Sequence, residues 1–228
     1  MLRPVRTSWI CPAAAVLAAC QLGGPRPFPP PEPALEAENR RAGDPYAGRF
    51  PYAEAVAGLP EGPSLRAELD TDAGAIRCRL DPSTAPLAVA NFVGLARGLR
   101  PFRTSPGGPW EKAPFYDGLP FHRAVPDQFV QTGQRGDQED PGFHLQDEMS
   151  SGHVFDRAGL LALANTGAPH SNAAQFFITT APLRHLDGKH TILGACDDED
   201  VVRELERRTL ADPAAPPRLR GLKISRGP

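Results

Sequence analysis

The chain has four cysteines in 228 residues, Cys11, Cys20, Cys78 and Cys196, and no two of them form a CxxC pair. No His/Cys cluster has zinc spacing either, which excludes a zinc module, and nothing in the sequence asks for a metal or another cofactor. Net charge is also scarce: 25 Lys+Arg against 27 Asp+Glu leave a formal −2. With no recurring basic patch, nucleic acid is excluded as a partner. No apolar run reaches the roughly 20 residues that a membrane-crossing helix needs. No internal repeat is present, so a solenoid is excluded. Proline, by contrast, is abundant, with 27 residues, many of them early in the chain.

The first sixty residues read as an address followed by a tether. Arg3 and Arg6 precede a short apolar run from Ile10 to Ala19, the layout of a secretory signal. The run ends in Leu17-Ala18-Ala19-Cys20, which resembles the lipobox of bacterial lipoproteins. The resemblance implies a signal peptide over 1–19, acylation of Cys20 and a lipid anchor to a membrane of the bacterial cell envelope. Gln21 stands where aspartate would favour inner-membrane retention, so the outer membrane, periplasmic side, is the expected location. The competing reading is an ordinary signal cleaved nearby, with Cys20 left as a plain thiol. Gly23–Pro33, GGPRPFPPPEP, favours extended polyproline II and packs no core. At ~3.1 Å per residue it spans on the order of 30 Å. Residues 20–63 are thus a proline-rich tether, with a short helix over Tyr52–Leu59 and docking of 34–63 left open.

The folded domain is expected at 64–228. Leu65, Ala67 and Leu69 alternate with charged residues, and so do Ile76, Cys78 and Leu80, on either side of a turn at Asp72-Ala73-Gly74. This predicts a hairpin with one buried face. A helix follows, with Ser83 or Thr84 as its cap, Pro86 in its first turn and Gly98 closing it. Its apolar face is Ala88, Phe92, Leu95, Ala96 and Leu99. A second helix is expected over Glu199–Arg208 and a last strand near Leu219–Ile224. Many short strands with two helices predict a mainly β fold, a closed eight-stranded antiparallel barrel capped by two α-helices. Cys78 and Cys196 read as buried thiols, a disulfide being the alternative, since pairing depends on distance and orientation.

Two periodicities single out one surface. Phe129 and Gln131 are two apart, as are Gln175 and Phe177, so each pair shares a strand face. Phe176 and Ile178 point to the opposite face; a small barrel fills its interior with side chains, so a binding site made by these four requires them outside and Phe176 and Ile178 in the core. An outward aromatic pair beside glutamines reads as an exposed binding surface. His185 and His190 are five apart, without a carboxylate or cysteine to complete a metal site.

Three ordered blocks, Phe115–Gly133, Pro141–Glu148 and Leu161–Gly194, resemble the cyclophilin-type peptidyl-prolyl cis-trans isomerases over roughly residues 65–227. The resemblance implies Arg123 as the catalytic arginine, supported by Gln131. It implies Gln175 in the peptide groove and Phe129, Phe177, Leu186 and His190 around a proline pocket. Ala164 and Asn165 match the strand that pairs with substrate, and His185 stands where many members have tryptophan. His122 reads as a bystander. Gln128 departs from the pattern, since the family has phenylalanine there, so one pocket wall is expected to be an amide unless a bulge brings Phe129 into place. The implied partners are proline-containing unfolded or nascent exported proteins, and a monomer is the expected state. The alternative function is a proline-peptide-binding chaperone or scaffold module with little turnover, a reading that rests on Gln128.

Overall fold

The structure is a computed structural model that describes residues 28–136, 141–149 and 152–227. Residues 1–19, where a signal peptide is expected, and Cys20 lie outside the described residues. Two N-terminal helices, α1 (Pro33–Arg41) and α2 (Tyr52–Val56), precede the sheet. Then come β1 (Ser64–Thr71), β2 (Gly74–Leu80) and helix α3 (Pro86–Ala96). Six short strands follow: β3 (Leu119–Pro120), β4 (Arg123–Val125), β5 (Phe129–Thr132), β6 (Leu160–Leu163), β7 (Phe176–Thr179) and β8 (Ile192–Cys196). Helix α4 (Glu199–Ala211) and β9 (Arg218–Gly227) complete the chain. Among the described residues, no helix is long and apolar enough to cross a membrane.

The mainly β antiparallel class holds, while strand count and closure differ from expectation. Nine strands form one curled sheet in the order β3-β9-β1-β2-β8-β6-β7-β5-β4. Its end strands, β3 and β4, are separated in sequence by Phe121 and His122 alone, so the chain itself joins the two edges. The Thr132 hydroxyl, donating to the Pro120 carbonyl at 2.8 Å, ties β5 back to β3. The predicted hairpin is β1–β2, with Leu65, Ala67 and Leu69 facing the core from β1 and Ile76, Cys78 and Leu80 from β2. Cys78 stands directly opposite Cys196 on β8, and the two form a disulfide. The buried-thiol expectation fails because the register, invisible in the sequence, places the two side chains side by side.

Helix α3 differs from expectation in two ways. Every one of its residues is buried, not one face alone. Phe92 packs among Tyr116 and Phe176 on the barrel side, and the N-terminal segment covers the other side through Phe50 and Ala55. A Cβ on Gly94 would collide with the Phe50 ring, so this crossing needs glycine. The sequence PLAVANFVGLA carries no charge, the signature of a helix buried all round. Its cap is also distant. Ser83 and Thr84 are used in the preceding turn with Asp81, and the buried Glu148 carboxylate accepts from the Leu87 and Ala88 N–H groups at 3.2 and 2.8 Å. An anion there satisfies orphan donors and favours the helix dipole. The C-terminus behaves as read: Gly98 has φ +69°, and Leu99 N–H reaches back to the Gly94 carbonyl at 2.8 Å.

Residues 34–63 dock on the domain, and α2 is the expected short helix, shorter than Tyr52–Leu59. The junction is a fully buried ion pair in which Arg100 Nη1 and Nη2 each reach an Asp44 carboxylate oxygen at 2.7 Å. The Arg100 guanidinium lies 3.8 Å from the Phe143 ring centroid. Asp44 also accepts from Gly48 N–H, and Arg100 Nε donates to Asn91. A lone buried charge here would be costly, so the N-terminal segment is part of the folded unit.

Candidate active site on the outer face of the sheet

Antiparallel register aligns one row of side chains across five strands. Arg123 on β4 stands opposite Gln131 on β5, and Gln131 opposite Phe177 on β7. Phe177 then faces Ala162 on β6, and Ala162 faces Ile192 on β8. The next residues inward, Phe176 and Ile178, belong to the main core, as alternation requires. The outer row has a hydrophobic cluster of its own, with Phe177, Phe155, Leu160, Leu183 and Ile192 buried in it and Phe129, Ala164 and Leu186 packed at its edge.

Phe177 is therefore outside the barrel but not exposed as expected: its accessibility is 3%. The Phe129 ring lies 5.1 Å from it, Phe155 stacks at 6.0 Å, and His190 meets it edge-on at 5.2 Å. Burying a phenylalanine this way contributes about 1.5–3 kcal/mol, so the cluster is itself a small core. Phe155 was missed in the sequence. It sits in an irregular stretch after Ser151, where no periodicity marks a buried face.

A chain of polar contacts rises beside the aromatics. Gln175 Oε1 accepts from Gln131 Nε2 at 2.8 Å, and Gln131 Oε1 accepts from Arg123 Nη1 at 3.0 Å. This orients the amide of Gln131, which is 7% exposed. The Arg123 guanidinium lies 5.0 Å from the Phe129 ring centroid. Among the described residues it makes one side-chain hydrogen bond, so the rest of its fork of donors faces outward over an apolar floor.

His190 Nδ1 lies 3.1 Å from the Leu163 carbonyl, so this nitrogen carries the proton and Nε2 is the acceptor. Burial pushes its pKa below the ordinary value, as it does for the half-buried His122. His122 also bonds to Gln175 through its ring. It thus backs the polar chain rather than standing apart from it.

The structure places Gln128 by its backbone. It ends the β4–β5 turn, where Pro126 sets the second position and Asp127 takes φ +55°, and its N–H reaches Val125 O at 3.0 Å and Glu206 Oε1 at 3.2 Å. The β4–β5 ladder is regular, so Phe129 covers the cluster without a bulge and still shares a face with Gln131. Ala164 and Asn165 lie just past β6, not on a strand. Ala164 N–H bonds Gln175 O at 2.9 Å, and the Asn165 side chain bonds Lys189 O at 2.8 Å and Gly167 N–H at 3.1 Å. Leu186 lies on the 3-10 turn Arg184–Leu186 against the cluster, while His185 on the same turn is exposed. Among the described residues, no group of three or more His, Cys, Asp or Glu gathers as a metal site.

A model of the family "Cyclophilin type peptidyl-prolyl cis-trans isomerase/CLD" matches residues 66–225, from β1 to β9. The chain belongs to the cyclophilin family. Its relatives include peptidyl-prolyl cis-trans isomerase A of Mycobacterium tuberculosis, 41% identical over 148 residues, covering 61% of this chain and 78% of that one. Peptidyl-prolyl cis-trans isomerase B of Streptomyces anulatus is 39% identical over 137 residues, covering 59% and 78%. The fold matches a crystal structure of a Cryptosporidium parvum cyclophilin, with TM-score 0.59 at 24% identity, over 72% of this chain and 99% of that one. The same parasite protein was crystallised in the presence of the dipeptide Ala-Pro. This cyclophilin is accordingly a peptidyl-prolyl cis-trans isomerase.

Proposed function

We propose that this cyclophilin isomerises X–Pro bonds in exported proteins at the bacterial cell envelope, holding the proline ring on the Phe129–Phe177 cluster and the twisted amide on Arg123. The observation that carries this reading is the position of the Arg123 guanidinium, hydrogen-bonded to Gln131 and lying over Phe129. Uncatalysed rotation has a barrier of about 18–20 kcal/mol because twisting breaks amide resonance. As resonance fades, the prolyl nitrogen regains a lone pair that a guanidinium N–H can bind. Binding the twisted amide more tightly than the planar one lowers the barrier without a nucleophile or metal. Phe129, Phe177, Leu186 and His190 offer an apolar seat for the ring, and Gln131 holds the arginine in place.

The site is tested by measuring prolyl exchange in a peptide with the full chain and with Arg123→Ala. The variant is expected to lose most of the acceleration with unchanged circular dichroism, whereas equal rates overturn the assignment of Arg123. The envelope location rests on the Cys20 motif. Mass spectrometry of the mature protein should find an acylated N-terminal Cys20, and a peptide starting elsewhere removes the anchor from the proposal.

A further inference from the structure

One cavity of the fold is not lined by Arg123. A space of about 680 Å³ opens where β1 begins, β2 ends and the strap 152–157 crosses the sheet. It is joined to the proline site by shared walls. Leu160 and Ile192 line the cavity and also belong to the Phe177 cluster. Gly152, His153, Val154, Asp156 and Arg157 of the strap line the cavity, while Phe155 turns away from it and stacks on Phe177. The strap is held by Phe155 N–H on Asp187 at 2.7 Å and by Phe155 O accepting from Leu183 N–H at 2.8 Å. Ile192 is moreover the far end of the side-chain row that starts at Arg123.

The cavity's charge is uneven in how it is engaged. Asp81 accepts from the Ser83 N–H and hydroxyl and lies 3.5 Å from His153, and Asp156 pairs with Arg157 at 3.7 Å. Arg79 is exposed and faces Arg66 directly across the β1–β2 ladder. Like charges so opposed are destabilising, and a carboxylate bound beside Arg79 would relieve the repulsion. Arg226 joins the same wall, with Nη2 on the Tyr52 hydroxyl at 3.3 Å. An apolar floor under a rim of arginines suits a peptide segment that mixes carboxylates with aliphatic side chains. Its volume is that of a ligand site and exceeds what one side chain fills.

We infer that this cavity is a second contact site for the client chain, taking an acidic, aliphatic segment that flanks the bound proline. The inference rests on the isomerase reading of the Phe129–Phe177 cluster. It is tested with the full chain and three substrates: Ala-Ala-Pro-Phe, the same core extended by Glu-Leu-Glu-Leu on its N-terminal side, and the core so extended on its C-terminal side. Each extended peptide has a Gln-for-Glu control. One Glu-bearing peptide is expected to show a KM lower than its Gln control by about 5-fold. The gap should vanish in Arg79→Gln/Arg157→Gln, while the rate on Ala-Ala-Pro-Phe stays at the wild-type value, which also reports that the variant is folded. Equal KM values for Glu and Gln peptides on both sides, or a gap that survives the double substitution, overturn the inference. A proline-free Glu-Leu-Glu-Leu peptide titrated into Arg123→Ala separates the two sites. Binding that is lost on adding Arg79→Gln/Arg157→Gln supports the cavity whatever the isomerase assay shows, and no binding counts against it.

Discussion

Arg123 and Gln131 face each other across the β4–β5 ladder, and the guanidinium Nη1 donates to the amide Oε1 at 3.0 Å. Gln131 in turn is held by Gln175. The arginine is therefore positioned through two side chains, and freeing it should reduce turnover even though Gln131 is not the donor to substrate. Gln131→Leu keeps the volume and removes both bonds. A hydrogen bond to a charged group contributes about 1.5–3 kcal/mol, so kcat/KM should fall roughly 10- to 100-fold. A rate within 2-fold of wild type in the exchange assay would show that Arg123 needs no support.

Phe129 and Gln128 are neighbours with different placements. Phe129 closes the cluster 5.1 Å from Phe177, and Gln128 spends its N–H in the turn. Phe129→Ala should lower kcat/KM by about 10-fold or more through loss of the apolar seat. Gln128→Ala should stay within about 2-fold, since a turn residue held by its backbone tolerates side-chain truncation. The same assay on both variants decides. A larger effect at Gln128 would return it to the pocket.

The buried Asp44–Arg100 pair makes the N-terminal segment a structural partner of α3. Removing one member strands the other charge, so Asp44→Ala should destabilise the chain by about 3–5 kcal/mol. Urea unfolding measures this. A loss under about 1 kcal/mol would mean that the segment detaches freely.

Burial holds His190 and His122 below the ordinary imidazole pKa, so both are neutral in the folded chain at pH 7. The unfolded chain takes up these protons near about 6.5. Between that value and the depressed folded values, the unfolded state binds more protons, and stability falls as pH drops. Histidine ring NMR should place both midpoints below 6.5. A His190 midpoint at or above the unperturbed value would contradict the buried, neutral ring against Phe177.

The site was more legible than its setting. Arg123, Gln131, Gln175 and Phe177 follow from strand alternation and ordered motifs, both local properties of the chain. Phe155 was not legible, because its stretch has neither strand period nor helical period. Nor was the role of Glu148, which caps a helix 60 residues away from it in sequence. Gln128 and Phe129 could not be told apart as wall of the cluster by counting from Arg123, because the count does not show where the turn ends and the strand begins.

The amino-acid order alone determined the β1–β2 hairpin, the Gly98 stop of α3, the start of α4 and the face that Phe177 shares with Gln175, since each depends on neighbours within a few residues. Tertiary structure alone decided the Cys78–Cys196 disulfide, the Asp44–Arg100 pair, the burial of α3 on all sides and the row from Arg123 to Ile192. Those contacts join residues far apart in the chain, and only the register of the curled sheet and the docking of the N-terminal segment bring them within reach of one another.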